Sequence, residues 1–273
     1  MHELAPWQTL PEPLPILTTG HCAYEAVNGI QLYFSVFGEG EPVILLHGGV
    51  ASADWWGSQI DFLVNNGYQA IAIDSRGNGR STRSAQPYSY HLMAADVLAL
   101  MDILSVERAH IVGWSDGAVI GLEIAIHHPN RLNTLFAFGL NVSPTGVKPG
   151  FDQTATFLAA ADRAQQEYQA LSATPDEFEA FIAQISRMWQ REPNYSDAQL
   201  HSITRPVAVV AAEHDEAIDL EHAAYISATI PTSAAGRQSF CPATGSARVQ
   251  PGNAQLSAGL VVSFGSCGSA ACW

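Results

Sequence analysis

Gly113-Trp114-Ser115-Asp116-Gly117 is the stretch on which the reading of this chain turns. It falls between an apolar run at 109–112 that reads as a strand and a segment at 115–127 that reads as a helix. This GxSxG spacing suits a sharp strand-to-helix turn, because a β-carbon at either flanking glycine would crowd the neighbouring backbone. Such a turn exposes the Ser115 oxygen at a helix N-terminus, where the dipole favours an alkoxide and a developing oxyanion. The competing reading is a Gly-rich turn in which Ser115 only caps the helix.

Outward from this turn, strands and helices alternate. Apolar runs at 42–46, Tyr68–Ile73, 109–112, Leu132–Phe138 and 206–212 carry the pattern of strands covered on both faces. Helical spacing appears at 54–66, 90–104, 115–127 and 220–226. The order predicts a doubly wound, mostly parallel α/β sheet. Near the start, 23–27 and Ile30–Phe37 flank Asn28-Gly29, the signature of a hairpin with a primed turn. Between 141 and 204 two amphipathic helices, near 152–171 and 175–190, run with no strand between them. They predict a helical cap over the ligand edge of the sheet. The expected organisation is an irregular arm at 1–21, a core at 22–140 and 205–231, the cap, and a distinct tail at 232–273.

Composition narrows the partners. The 273 residues include 47% apolar and 14% charged, which excludes a solvating, disordered chain. Twelve Lys and Arg stand against 26 Asp and Glu, a net charge of −14, and Lys148 is the only lysine. A phosphate-neutralising surface needs clustered cations, so neither nucleic acid nor an anionic membrane is expected. No run approaches the roughly 18–20 apolar residues of a membrane span, and the N-terminus lacks a signal-peptide pattern, so a cytoplasmic protein is expected. Cys22, Cys241, Cys267 and Cys272 have no CxxC pair and no His at ligand spacing, so no metal is expected.

Two further motifs flank strands. Leu46-His47-Gly48-Gly49 ends a strand, and there the Gly49 N–H can face an oxyanion together with the N–H of Asp116. His47 itself reads as a core histidine. Asp74-Ser75-Arg76-Gly77-Asn78-Gly79-Arg80-Ser81 lacks the spacing of a phosphate cradle and reads as a structural turn. Glu213-His214-Asp215 follows the strand at 206–212.

Together these motifs resemble the α/β-hydrolase superfamily over about residues 22–231. The resemblance implies Ser115 as an acyl-forming nucleophile, Asp215 as the acid that orients a histidine base, and Gly49 and Asp116 as the oxyanion hole. It implies no cofactor and a small-molecule acyl substrate. The Gly-Trp-Ser-Asp-Gly form is similar to that of the valacyclovir-hydrolase branch, which implies that Asp116 helps bind a substrate amino group. The alternative is that its side chain only caps the helix. Trp114, Asp116 and Trp56 are the candidate substrate-binding residues. Phe157, Phe178, Phe181, Met188, Trp189, Trp55 and Trp56 are candidates for an apolar acyl pocket, against the plainer reading of core packing.

The expected base is missing. The family carries it roughly 25–30 residues after the acid, whereas here the only later histidine is His222, seven residues on. His222 reads as an exposed helix residue, and His214 would have to point alongside Asp215, which an extended step disfavours. The tail is anomalous as well. Glu221 is the last acid, and the next 52 positions contain none, where upstream density predicts about six. Read one nucleotide later, the codons permitted for 235–250 allow Pro-Gly-x-Ser-His-Phe-Ala-Pro-Leu-Gln-Asp-Pro-x-Ala-Phe-Asn. That string looks like the end of an α/β-hydrolase, with its histidine where Ser239 stands. Residues from about 232 therefore read as out-of-frame translation. The native last strand and C-terminal helix are expected to be missing, with a poorly ordered tail in which 260–264 substitutes as a strand.

The function expected is hydrolysis of a carboxylic ester or similar acyl compound, impaired by loss of the histidine. The alternatives are a catalytically dead pseudo-hydrolase that binds a small ligand, a cofactor-free haloperoxidase or perhydrolase, and an amino-acid-ester hydrolase of the same fold.

Overall fold

The computed structural model describes Leu10, Pro13, Pro15, Ile16 and residues 19–239 and 248–251. Strands β1 (His21–Val27) and β2 (Ile30–Phe37) pair antiparallel through Asn28-Gly29, whose φ values of 42° and 81° are those of the expected primed turn. The chain continues through β3 (Glu41–Leu46), α1 (Gly57–Asn65), β4 (Tyr68–Ile73), α2 (Tyr90–Ile103), β5 (Ala109–Trp114), α3 (Asp116–His127) and β6 (Leu132–Phe138). Helices α4 (Ala155–Leu171), α5 (Phe178–Trp189) and α6 (Asp197–His201) follow before β7 (Val207–Ala212), α7 (Leu220–Thr229), β8 (Ser233–Ser239) and β9 (Arg248–Pro251).

Among the described residues the strands form one sheet in the order β1-β2-β4-β3-β5-β6-β7-β8-β9, parallel from β4 to β8. The central strands show why an unbroken apolar run was needed. Ile44, Leu46, Ile71 and Ile73 face one hydrophobic layer, which receives α2, α3 and α7. Val43, Leu45, Ala70 and Ala72 face the other, which receives Ile60 and Leu63 of α1. Successive strand side chains point to opposite faces, so a strand buried on both sides must be apolar at every position. Burying each large aliphatic chain contributes about 1.5–3 kcal/mol.

The Asp74–Ser81 segment is structural, as its sequence suggested. Arg76 and Asp96 are both buried and joined by paired bonds of 2.8 and 2.7 Å, and Asn28 Nδ2 donates to Asp96 Oδ1 at 2.9 Å. One buried ion pair thus ties the hairpin turn, the Gly-rich loop and α2 together.

The last strand corrects an expectation. Backbone pairing extends into the anomalous tail: 233–238 lie parallel to β7, in the place expected to be empty. A parallel ladder is made by main-chain groups, which any non-proline residue supplies. The strand expected at 260–264, the C-terminal helix and most of the tail lie outside the described residues. Phe136 and Ala208, paired neighbours on the α1 side of the sheet, are only half-buried, while Leu135, Ala137, Val207 and Val209 facing the other way are buried. No helix among the described residues is long and apolar enough to cross a membrane.

Asp96→Ala leaves Arg76 charged, buried and unpaired, so unfolding free energy should fall by about 3–5 kcal/mol. Urea denaturation of the variant beside the parent chain measures this.

Candidate active site

Ser115 occupies the turn between β5 and α3 with φ 52° and ψ −116°, a region that L-residues with side chains avoid. The cause is steric. An ideal β-carbon on Gly117 would lie 2.0 Å from the Leu46 carbonyl oxygen, and one on Gly113 would lie 2.4 Å from the Gly117 backbone. Helix α3 therefore starts hard against the end of β3, and the chain can enter it only through a strained residue. Ser115 Oγ makes no capping bond to α3, so the helix-cap reading fails. The side chain instead borders a cavity of about 530 Å³.

Gly49 borders the same cavity. Neither the Gly49 nor the Asp116 N–H donates to a backbone carbonyl among the described residues. Val50, the next residue, has φ 58°, a costly conformation for a β-branched side chain that no sequence signal announced. Beneath this loop His47 is fully buried: its Nδ1 lies 2.6 Å from the Gly48 carbonyl and its Nε2 accepts from Ser75 N–H at 2.9 Å. Burial holds its pKa below the ordinary histidine value. His47 is thus a core residue, as read from the sequence.

Asp215 also borders the cavity, beyond the end of β7. Its Oδ1 accepts from the N–H groups of Ala217 and Ile218, both at 2.9 Å, and burial pushes its pKa up in spite of them. Lys148 holds the loop from the cap side, with Nζ donating to the Asp215 carbonyl at 2.6 Å and its own N–H to Ala217 O at 2.8 Å. Glu213 and His214 form a turn rather than an extended step, closed by Asp215 N–H to Ala212 O at 3.2 Å. For that reason His214, though exposed, borders the cavity along with Asp215, contrary to expectation. His222, by contrast, is not exposed. It is half-buried, its ring fills the space over Gly146, and its Nε2 accepts from Val142 N–H at 3.1 Å. Ser239, where the base was expected, lies in β8.

The cavity opens between the strand ends and the helical segment. Trp114 lines it, as do Phe157 and Trp189 among the candidate aromatics. Trp56 does not: it packs in the layer around α1, and Trp55 takes the cavity position, stacked on Trp114 with ring centroids 5.5 Å apart. Residues 53–56 form a 3₁₀ turn, and its tighter pitch changes which tryptophan faces inward. Phe178, Phe181 and Met188 belong to the core cluster. Asp116, the first residue of α3, has a buried carboxylate whose Oδ1 accepts from Tyr90 Oη at 2.7 Å. Trp189 Nε1 donates to both of its oxygens, at 3.1 and 2.9 Å. Burial, opposed by these bonds, pushes its pKa up to about 6. Among the described residues no group of three or more His, Cys, Asp or Glu side chains is arranged to hold a metal ion.

A parallel sheet with helices on both faces, a serine on a strained elbow and an acid beyond a later strand define an α/β-hydrolase architecture. The family model described as alpha/beta hydrolase fold matches residues 41–191, and the chain belongs to that family. It is 30% identical over 210 residues to a protein of Variovorax paradoxus named "Putative carbamate hydrolase RutD", covering 68% of this chain and 79% of that one. To the RutD of Azorhizobium caulinodans it is 38% identical over 105 residues, 38% of this chain and 39% of the relative. Among solved structures, a meta-cleavage product hydrolase from Pseudomonas fluorescens superposes with a TM-score of 0.68 at 21% identity, covering 80% and 89% of the two chains. The chain thus spans about two fifths of the Azorhizobium relative, about four fifths of the Variovorax one and about nine tenths of the solved structure.

Strain at position 115 has a measurable cost. Conformations of this kind cost about 1–3 kcal/mol, and glycine tolerates them. Ser115→Gly should therefore raise unfolding free energy by about 1 kcal/mol while removing the hydroxyl, which thermal and urea denaturation read directly.

Proposed function

We propose that this chain is a serine hydrolase of the carboxylic-ester type, acting on a small acyl substrate through an acyl-enzyme at Ser115. The observation that carries this reading is the Ser115 hydroxyl: held at φ 52°, uninvolved in capping, it borders the cavity that Asp215 also borders. Ser115 Oγ would attack the substrate carbonyl carbon, and the tetrahedral oxyanion would take hydrogen bonds from the N–H groups of Gly49 and Asp116. The leaving alcohol departs with a proton, and water then releases the acid. Trp114, with Trp55 beside it, would bound the acyl group.

A histidine should carry the proton from Ser115 to the leaving alcohol, with Asp215 orienting it. We infer that out-of-frame reading from about 232 removed that histidine from the place of Ser239. The loss of acids and the cysteine cluster support this. The impaired enzyme retains the oxyanion donors and the cavity, which in such sites leave roughly 10³–10⁴-fold catalysis over water. A second reading, a ligand-binding pseudo-hydrolase, is favoured by the absence of any histidine bonded to Ser115 among the described residues.

A fluorophosphonate probe decides between them. Slow labelling at Ser115, abolished by Ser115→Ala, is expected of the hydrolase. No labelling together with tight binding of a small ligand supports the pseudo-hydrolase. Sequencing of the coding DNA should show the Ser-His-Phe motif in the neighbouring frame across codons 238–240, and its absence there defeats the frame argument.

A further inference from the structure

Three segments that the proposed chemistry needs in register meet at one carboxylate. Asp116 follows Ser115 directly. Tyr90, the first residue of α2, donates to it from the core, and Trp189, the last residue of α5, donates to it from the helical cap. Gly49 touches the same point: an ideal β-carbon there would lie 2.4 Å from Trp189 Cζ2 and 2.8 Å from Asp116 Oδ2. The turn beyond α5 is fastened alongside, with Tyr90 N–H donating to Glu192 Oε2 at 2.9 Å.

We propose that the Asp116 carboxylate is a positioning residue, the pivot that seats cap helix α5 and the Gly49 peptide over Ser115, rather than a receptor for a substrate amine. An ionised carboxylate has only acceptor sites, so it serves the Tyr90 hydroxyl and the Trp189 indole N–H together. Protonation turns one of its oxygens into a donor. Trp189 N–H bridges both oxygens, so a proton on Oδ2 faces another donor, and the indole loses half of its anchorage. Gly49, which these two groups approach so closely that no β-carbon would fit, loses that backing with it.

The surroundings make this contact sensitive near neutrality. No Lys or Arg among the described residues bonds to Asp116, and burial brings its pKa to about 6. Tyr90 is held protonated, its pKa raised by burial and by Asp116 itself. Glu192 is spent on the Tyr90 N–H, Tyr195 donates to Glu123, and His47 below the loop is held neutral by burial. As an acid with a raised folded-state pKa, Asp116 keeps all its pivot bonds above about pH 6 and loses the Trp189 bond to Oδ2 as pH falls through that value.

The importance of Gly49 rests on the acyl chemistry proposed above, but the test reads the pivot without turnover. Tryptophan emission of the full chain is recorded from about pH 4.5 to 8, and the Trp189 contribution is taken by difference from Trp189→Phe. The expected result is a sigmoid with its midpoint near 6, absent in Asp116→Asn and displaced upward in Tyr90→Phe, which lacks a bond that favours the ionised form. Labelling of Ser115 by a fluorophosphonate should slow roughly tenfold below that midpoint in the parent and stay level in Asp116→Asn. A flat emission profile, or a midpoint unchanged in Asp116→Asn, overturns the pivot. So does an Asp116→Asn variant whose only defect is a raised KM for esters bearing a free amine. Should no variant label at Ser115, the hydrolase reading fails alone, and the emission midpoint still decides on the pivot.

Discussion

The approach of α3 to the end of β3 governs the whole functional edge. Gly117 leaves no room for even a methyl group against the Leu46 carbonyl. That single contact forces the chain through an unfavourable conformation at Ser115 and turns its hydroxyl away from the helix. Leu46 is followed within three residues by Gly49, so the segment that pinches the elbow also brings Gly49 to the cavity that Ser115 borders. Backbone packing thus sets the elbow and the loop beside it, and the side chains around them refine what the main chain has already set.

The core was legible because burial on both faces leaves a plain signature. A strand such as β4 must be apolar at each position, and a short run of that kind bounded by turn residues has few other readings. The elbow was legible for a related reason: close backbone approach demands glycine, and glycine at fixed spacing can be seen. Features set by distant partners could not be seen. Asp116 meets Tyr90 26 residues away and Trp189 73 residues away, and nothing local in either segment marks the meeting. The exchange of Trp55 for Trp56 arose from a change of helical pitch over four residues. The placement of His214 was read from an extended step beyond the strand, where the chain instead turns at Glu213 and His214. Helix α6 is too short, at five residues, to display any periodicity. The pairing of β8 has a different lesson: main-chain complementarity can recruit a segment whose side chains carry no strand pattern.

Charge is distributed unevenly about the cavity. Asp116, Glu192, Glu213, Asp215 and Glu216 all border it, and no Lys or Arg does so among the described residues. A low-dielectric cleft lined by one sign of charge repels anions of that sign. The same crowding accounts for part of the behaviour of Asp215, whose carboxyl is raised first by burial and further by Glu216, against the pull of Lys148.

Lys148 closes the acid loop by its ammonium group and is the only lysine in the chain. Succinimidyl dyes, amine-coupled sensor surfaces and aldehyde fixatives will therefore find one side-chain target in this chain, and it is the one that clasps Asp215. Attachment through Cys22, which is exposed on the hairpin at the opposite margin of the sheet, spares that clasp.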